Sequence, residues 1–167
     1  MQKNIDFKIS LVELPQLSGV NLILGQTHFI KSVEDIYESL ISSSTTIKFG
    51  VAFNEASGDR LIRYDGNEDG LIAASVKMMK DIGCGHCFIV LLKNIYPISV
   101  LNRLKSLDEV VSIYAATSNP LKVIIYDDGE DGRGILGVID GKKPLGIEGD
   151  ADKIKRHKFL RDIGYKR

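Results

Sequence analysis

A chain of 167 residues, of which 44% are apolar, is long enough to bury its own core and needs neither a disulfide framework nor a structural metal. Its 22 basic and 22 acidic residues cancel, which excludes the bulk electrostatic attraction used by nucleic-acid-binding and membrane-surface proteins. No apolar run approaches the roughly 20 residues of a membrane span, and "MQKNIDFKIS" lacks the apolar segment of a signal peptide, so we expect one cytoplasmic domain over residues 1–167 with reduced thiols.

The first half of the chain is predicted to alternate between strands and helices. Apolar and polar residues alternate over residues 5–15 up to Pro15, which predicts a strand, and further strands are predicted over 21–29, 46–56 and 59–66. Apolar residues at helical spacing predict helices over 32–43 and 67–83. Gly83 is the expected end of the second helix, because glycine adopts the left-handed backbone of a helix C-terminus without strain.

The second half of the chain adds further strands and two helices. The segment 86–92, "HCFIVLL", is almost wholly apolar, as expected of a strand covered on both faces. The other predicted elements are a helix over 97–107, strands over 110–117, 121–127 and 134–140, and a basic helix over 150–164. We therefore predict an α/β fold, with mixed α+β as the alternative, in which about four helices flank one mixed, multi-stranded sheet.

The stretch "DIGCGHCFIVLL" contains both cysteines, Cys84 and Cys87, at the spacing of a dithiol–disulfide exchange site. In such sites the first thiolate lies at a helix N-terminus, where the helix dipole lowers its pKa. Here the motif follows a helix and precedes a strand, which predicts a raised pKa for Cys84 and argues against dithiol chemistry. A zinc site is also disfavoured, because His28 and His157 do not supply a second ligand pair at short spacing.

His86 stands just past the turn "GCG", at the start of the apolar strand. The glycines remove side-chain bulk around the imidazole and allow the backbone to approach a ligand closely. A histidine at the mouth of a sheet can act as a base or as a covalent nucleophile. The alternative is a histidine that only caps the strand end by a hydrogen bond.

A second glycine-rich signal covers residues 127–150 and matches neither the dinucleotide-binding nor the phosphate-loop pattern. Gly134 and Gly137 fall inside a predicted strand, where glycine is unfavourable unless a ligand or another subunit's backbone packs close. Arg133 beside them is a candidate anion ligand.

Carboxylates are dense in the same region. A solvated turn explains the acidic run, with Mg²⁺ binding as the alternative; the run consists of Asp127, Asp128, Glu130 and Asp131. Asp140 and Glu148 follow in loop context, where they are candidates to orient a hydroxyl or an imidazole.

Polar residues also follow several predicted strands. They are Asn54, Glu55, Asn94 and Asn119. Because ligand groups collect at the strand C-termini of open sheets, each is a candidate ligand residue. Ordinary turn chemistry is the alternative explanation for all four.

Several segments taken together resemble the small family of adenosine-specific kinases. They are "NLILGQTHF", "IKFGVAFNEA", "DIGCGHCFIVLL", "YPISVLNRLKSLDEVVSIYAATSNPLKVII", "GRGILGVIDGKKPLGIE" and "RDIGYK". They occur in order over about residues 5–166, which makes the resemblance more specific than any single motif. It implies binding of adenosine and AMP rather than ADP or ATP. It also implies a stably phosphorylated histidine, which the match "GCGHCF" carries onto His86, and it identifies both cysteines as variable small residues.

On this hypothesis His86 is the catalytic nucleophile of a kinase-type phosphotransferase. The predicted phosphate-binding residues are Arg133, Gly134 and Gly85. The predicted nucleoside-binding residues are Asn54, Glu55, Asn94, Asn119 and Gly137. Asp140 and Glu148 are predicted to orient the imidazole. The sequence requires no cofactor, and Mg²⁺ is an option. The alternative function is a non-catalytic AMP or adenosine sensor in which His86 only contacts phosphate, and a dithiol oxidoreductase ranks third.

The apolar strands outnumber the helices that can cover them, which predicts a homo-oligomer, with a trimer favoured over a dimer. The glycine-rich segment from Arg133 to Gly141 is expected at the junction, where a neighbour completes part of the nucleotide site. The closing helix is basic but lacks interleaved aromatic residues, so we predict no nucleic-acid partner and no membrane partner.

Overall fold

The computed structural model describes residues 8–167; residues 5–7 of the first predicted strand, and most of the stretch judged to lack a signal peptide, lie outside the described residues. The strands are β1 (Lys8–Leu14), β2 (Asn21–Thr27), β3 (Lys48–Asn54), β4 (Ile62–Gly66), β5 (Cys87–Lys93), β6 (Val110–Thr117), β7 (Leu121–Asp127) and β8 (Arg133–Asp140). The helices are α1 (Ser32–Ile41), α2 (Asp69–Ile82), α3 (Leu101–Lys105), preceded by a 3₁₀ turn (Pro97–Ser99), and α4 (Asp150–Asp162). Each element lies inside a predicted segment, except that β5 ends one residue later and β8 begins one residue earlier than predicted, and the helix predicted over 97–107 is a 3₁₀ turn followed by the short α3.

The fold is mixed α+β, the alternative that the sequence left open. The strands form a five-stranded sheet in the order β4-β3-β5-β2-β6 and a three-stranded sheet in the order β1-β7-β8. Every strand pairing is antiparallel, so two antiparallel sheets stand where one mixed sheet was expected. Two of the pairs, β7 with β8 and β3 with β4, are joined by the short connections 128–132 and 55–61, which allow only antiparallel pairing.

The five-stranded sheet is covered on both faces, and its central strand β5 is buried throughout except at Lys93. Phe88, Val90 and Leu92 pack against α1 and α3 on one face. Cys87, Ile89 and Leu91 face α2 and the inner side of the three-stranded sheet on the other. The prediction of a strand covered on both faces is therefore confirmed, and the start of β5 is fixed between the two cores.

Helix α2 lies directly on the five-stranded sheet. A Cβ atom at Gly50 of β3 would stand 2.4 Å from backbone atoms of Leu71 and Ile72, so only glycine allows this approach. The side chain of Glu68 caps the helix by accepting from the Leu71 N–H. The helix ends at Gly83, which has φ +62° as predicted. This end of α2 places the turn that leads to His86.

The three-stranded sheet has one covered and one uncovered face. Cross-strand partners such as Val12, Val123 and Val138 point inward, because directly paired residues share a face. The opposite side, which we call the outer face, carries Ile9, Leu11, Leu136 and Ile139, each between 45% and 61% exposed. Apart from the ion pair of Lys122 with Glu13, this side of the sheet is mostly apolar, and the described chain does not cover it.

Residues 142–167, which we call the C-terminal arm, stand apart from both cores. Every residue of the arm except Leu160 is exposed, and α4 contributes no buried side chain. The end of the arm touches the body where Tyr165 and Tyr96 meet edge to face, with ring centroids 6.1 Å apart. Within residues 8–167, no helix is both long and apolar enough to cross a membrane.

Candidate functional site

His86 occupies a strained backbone position between two strands. Its φ of +57° lies in the left-handed region, which residues other than glycine rarely adopt. The conformation is held from both sides, because the His86 N–H donates to the Asn54 carbonyl of β3 at 2.8 Å and the His86 carbonyl accepts from the Thr27 N–H of β2 at 2.9 Å. The ends of β3 and β2 thus fix the backbone from which the imidazole projects.

The turn before His86 packs tightly against the loop after β3. A Cβ atom at Gly85 would approach the Ala56 Cβ to 2.8 Å, so this glycine is required by contact rather than by backbone angle. Asn54 secures the turn from beneath, since its Nδ2 donates to the carbonyls of Met79 and Cys84, each at 3.0 Å. The buried Asn54 Oδ1 has no hydrogen-bond partner within residues 8–167.

The imidazole opens into a small aromatic cavity, which we call the His86 pocket. Its ring lies nearly parallel to Phe53, with centroids 6.0 Å apart and an angle of 14° between the planes. The pocket has a volume of about 170 Å³ and is lined by His28, Phe29, Ile30, Phe53, Glu55, Ala56, Ser57 and His86. Both His28 and His86 therefore reach the same cavity.

A larger cavity adjoins it, which we call the Arg133 pocket. It has a volume of about 780 Å³ and shares Glu55 and Ala56 with the His86 pocket. Its other lining residues are Asn54, Asp59, Arg60, Leu61, Ile62, Met79, Lys80, Gly83, Gly85, Asp131, Gly132 and Arg133. The two cavities together offer room for a ligand larger than the His86 pocket alone can hold.

Arg133 extends over the end of α2. Its Nη1 would lie 3.1 Å from a Cβ atom at Gly83, so the glycine leaves space for the guanidinium. Its Nε donates to Asp127 at 2.8 Å. The N–H of Gly129 and the Arg133 guanidinium hold the pKa of the Asp127 carboxyl below its usual range. Arg133 is thus oriented by an ion pair while Nη1 lies at the pocket wall, where it can meet an anion.

Glu55 stands in the wall between the two pockets. Its Oε2 accepts from the Leu61 N–H at 2.9 Å and its Oε1 lies 3.0 Å from Arg63 Nη2. The Leu61 N–H first, and the Arg63 guanidinium second, hold the pKa of the Glu55 carboxyl below its usual range. Glu55 is therefore a fixed, ionised acceptor at neutral pH, suited to a hydroxyl or an imidazole N–H.

The two cysteines lie under the turn rather than in either pocket. Both are free thiols, 1% and 3% exposed. The hydrogen bond with Cys87, aided by the charge of Arg133, lowers the pKa of Cys84, whereas the same bond and burial raise the pKa of Cys87. The raised pKa predicted for Cys84 from the helix end was wrong in direction, because the hydrogen bond with Cys87 and the charge of Arg133 favour the Cys84 thiolate.

The acidic run forms a structured turn. Asp127 and Asp128 accept backbone N–H groups of the turn, and Asp131 pairs with Arg60 at 3.3 Å. Across residues 8–167, no group of three or more His, Cys, Asp or Glu side chains is arranged to hold a metal ion. Hydrogen bonds to backbone N–H groups within the turn therefore account for the carboxylates of Asp127 and Asp128.

Three predicted site residues lie at the other end of the five-stranded sheet. Asn94 follows β5, eight residues from His86, and so stands roughly 25 Å away at the strand rise of about 3.3 Å per residue; its Nδ2 donates to the Thr46 carbonyl. Asn119 donates to Asp140 at 3.0 Å, and Asp140 also accepts from Thr117 at 2.8 Å. We call this the Asn119 end, and within one chain it does not reach His86.

The remaining predicted residues lie elsewhere again. Gly134 and Gly137 belong to the three-stranded sheet, and a Cβ atom on either would meet nothing within 4 Å. Glu148 lies in the C-terminal arm, where both its oxygens accept from Arg156, at 2.9 and 3.1 Å. The Arg156 guanidinium holds the pKa of the Glu148 carboxyl below its usual range. In a single chain, Glu148 is thus committed to the arm and not to the imidazole of His86.

Some pocket residues were not anticipated as ligand candidates. They are His28, Phe29, Ser57, Arg60 and Lys80. No local sequence signal locates them, because it is the antiparallel pairing of β2 with β5 that brings the end of β2 to the start of β5. This pairing places His28 beside His86 and moves Asn94 away.

The chain is similar to one known protein family and to a solved structure. The profile of the family described as adenosine specific kinase matches residues 12–166. Among solved structures, the crystal structure of the PH1918 protein from Pyrococcus horikoshii OT3 is 41% identical, with a TM-score of 0.92, and the alignment covers 97% of this chain and 99% of that chain. The comparison with curated proteins found no match.

Proposed function

The chain belongs to the adenosine-specific kinase family, and from that premise we propose that it binds adenosine and AMP and transfers a phosphoryl group through a phosphohistidine at His86. The observation that carries the proposal is the His86 imidazole, projecting from a strained backbone that two strands hold, into a cavity with Arg133 and Glu55 in the adjoining walls. Strained backbone at a pocket supports a functional role, because such strain persists only where the surroundings enforce it.

In the proposed first step, an unprotonated ring nitrogen of His86 attacks the phosphorus of a phosphate ester or anhydride donor. A P–N bond forms, and the P–O bond to the leaving group breaks, with its electron pair departing on that oxygen. The other ring nitrogen bears the N–H, and Glu55 is the fixed carboxylate in the pocket wall that can accept it. Glu55 thereby takes the orienting role that the sequence assigned to Asp140 and Glu148.

In the proposed second step, the 5′-hydroxyl of adenosine attacks the same phosphorus. The P–N bond breaks, its electron pair returns to the imidazole nitrogen, and that nitrogen takes up the hydroxyl proton, which leaves AMP. Phosphoryl transfer of this kind depends on positioning and charge neutralisation. Arg133, with the backbone N–H of Gly85, is the proposed phosphate ligand; Gly134, next along β8, remains a candidate for the same task.

The nucleoside is proposed to lie in the Arg133 pocket, with its 5′ end toward His86. Glu55 can accept from ribose hydroxyls, and Asn54 supports the wall behind it. Asn94, Asn119 and Gly137 face away from this cavity in the same chain, so they can bind the nucleoside only in the site of a neighbouring subunit.

A non-catalytic sensor is the second candidate. It is favoured by the lack of a phosphate-cradling glycine loop and by Arg133 being already paired with Asp127. A single-turnover experiment separates the two functions: protein carrying a labelled phosphohistidine is mixed with adenosine, and labelled AMP is followed. Transfer supports the kinase, whereas stable label in the presence of bound adenosine supports the sensor.

The nucleophile is tested by intact mass before and after acid treatment, with and without AMP. An adduct of one phosphate that acid removes is expected. An acid-stable adduct would place the phosphate on another residue type and contradict the mechanism. Repeating the labelling in EDTA tests whether Mg²⁺ must accompany the donor, since the proposed site relies on Arg133 rather than on a resident metal.

We also propose a homo-oligomer, with a trimer favoured. The outer face of the three-stranded sheet supports this, because contiguous exposed apolar surface normally marks an interface. Light scattering measures the mass against the 18.5 kDa monomer.

A further inference from the structure

The C-terminal arm exposes apolar side chains that its own chain does not cover. Leu145 and Ile147 are fully exposed, at 104% and 99%, and Ile154 and Phe159 are also mostly exposed. Ile154 and Phe159 are five positions apart, which corresponds to one full helical turn plus about 140°. They therefore lie on different sides of α4. A helix that packed on its own core would instead place its apolar residues on one side.

Helix α4 also lacks the support that a helix of its length needs. It has 13 residues and no buried side chain. Isolated helices shorter than roughly 12–15 residues are marginal in water, because most helical stability in proteins comes from packing. Its ion pairs, such as Lys158 with Asp162 and Lys153 with Asp150, are exposed and contribute little. The arm therefore needs a surface to pack against.

The outer face of the three-stranded sheet is a surface of the right kind. Leu11 and Leu136 lie exposed there, and nothing stands within 4 Å of a Cβ atom at Gly134 or Gly137, which leaves open space above β8. The chain's own arm is present and does not cover this face, because the end of the arm lies against Tyr96 on the body. One chain thus carries two uncovered apolar surfaces that it cannot join by itself.

We propose that the C-terminal arm of one copy packs on the outer face of the three-stranded sheet of a second copy. The arm has the size for this task, because residues 142–167 match the 20–30 residues that each partner contributes to a stable interface of standard area. An arm-to-face contact joins two different surfaces head to tail, and such contacts form a closed ring when the rotation from copy to copy closes. The proposal rests on the proposed homo-oligomer and is independent of the chemistry at His86.

The test uses two variants of the full chain, each of which loses one surface. Leu145→Asp with Ile147→Asp removes the arm surface, and Leu11→Asp with Leu136→Asp removes the face. Each variant alone is expected to have the monomer mass of 18.5 kDa by light scattering. Mixed in equal amounts, they are expected to form a heterodimer of twice that mass, because one intact arm then meets one intact face.

Tyr64→Asp is the matched control, since Tyr64 is an equally exposed apolar residue on β4, in the other sheet. It is expected to keep the wild-type mass, and its dissociation would overturn the proposal by placing the contact elsewhere. Circular dichroism identifies a variant that fails to fold, and Leu145→Ser with Ile147→Ser or Leu11→Ser with Leu136→Ser then replaces it.

The outcomes separate the arm-to-face contact from the oligomer itself. A wild-type monomer would overturn both. An arm variant that keeps the wild-type mass, or two monomeric variants that do not associate on mixing, would overturn the arm-to-face contact alone and indicate that like surfaces meet. None of these results bears on phosphorylation, which is measured separately.

Discussion

Polar residues stand at both ends of the five-stranded sheet, and the two ends differ in backbone strain and in the charged groups that line their cavities. At the Asn119 end, Asp140, Thr117 and Asn119 bond to one another. At the His86 end, a strained histidine, a fixed carboxylate and an arginine border two cavities. The cavity of about 710 Å³ beside Asn94 is lined by no histidine and no charged residue, whereas the cavities at the His86 end combine an imidazole, carboxylates and guanidinium groups. The contrast teaches that a cavity at a strand end indicates a reactive site only when charged and nucleophilic groups line it.

The largest expected effect is the loss of phosphorylation when the histidine at the His86 end is replaced. His86→Asn should abolish acid-labile phosphorylation while the fold persists, because asparagine tolerates the left-handed backbone but offers no nucleophilic ring nitrogen. Intact mass before and after acid measures the adduct. His28→Asn is the matched control and should keep the label. Label retained on the His86 variant would move the nucleophile to another residue.

A methyl group at Gly85 tests whether the packing of the turn matters for binding. Gly85→Ala should weaken AMP binding by at least about tenfold, because the new Cβ meets Ala56 at 2.8 Å and must displace the His86 turn. Gly19→Ala, near the Asn119 end, has open space but φ +70°, so it should cost about 1 kcal/mol of stability and leave affinity unchanged. Calorimetry measures the AMP affinity of both variants. Equal affinities for the two variants would contradict the difference expected between the two ends of the sheet.

Glu55→Gln should slow phosphoryl transfer to adenosine about tenfold, because the amide cannot act as the charged acceptor of the imidazole N–H. The folded carboxyl has a lowered pKa, so its contribution to stability is complete above the unfolded pKa of about 4.3 and is lost as pH falls through the folded value. The melting temperatures of variant and wild type should therefore differ at pH 7 and converge as the pH falls through the folded pKa of Glu55. A difference that persists at acid pH would show that the effect is not electrostatic.

Asp140→Ala should lower stability by about 1–2 kcal/mol and leave AMP affinity unchanged. It removes the acceptor of Thr117 and Asn119, and Thr117 is buried. Urea unfolding and calorimetry measure the two quantities. A tenfold loss of affinity would break the comparison, because it would place the Asn119 end in the nucleotide site of a neighbouring subunit.

The smallest effect is expected from Cys84→Ser combined with Cys87→Ser. AMP affinity should stay within about twofold, since both thiols lie buried beneath the turn and line neither pocket. Stability should fall by about 1–3 kcal/mol, because two hydroxyls replace buried sulfur. Loss of binding together with a wild-type dithiol that reduces insulin would favour the oxidoreductase instead.

The local structure could be predicted because its signals are local. The apolar run of β5, Gly83 after α2 and Pro97 before α3 each act within a few residues. The pairing direction is not a local property, and the assumption of a mixed sheet grouped Asn94 and Asn119 with Asn54. In an antiparallel sheet successive strands end at opposite edges, so that rule selected residues from both ends.

The site was predictable in part for the same reason. His86, Gly85 and Asn54 follow from the glycine turn and the end of β3, and the structure brings them together with Glu55. Arg133 comes from the other sheet and lies over Gly83 through packing of the two sheets, which no spacing rule contains. His28 was visible only as the end of a strand whose partner was unknown.

The hydrogen bonds of His86 also bear on how fast its backbone amide exchanges with deuterium. Its N–H and carbonyl continue the ladders of β5 with β3 and β2, and β5 is the central, doubly covered strand. Amides in such positions exchange with deuterium only when the whole domain opens, whereas loop amides exchange by local fluctuation. We therefore expect the backbone of His86 to be among the slowest-exchanging parts of the molecule. Faster exchange is expected in the loops at 55–61 and 128–132, whose residues line the Arg133 pocket.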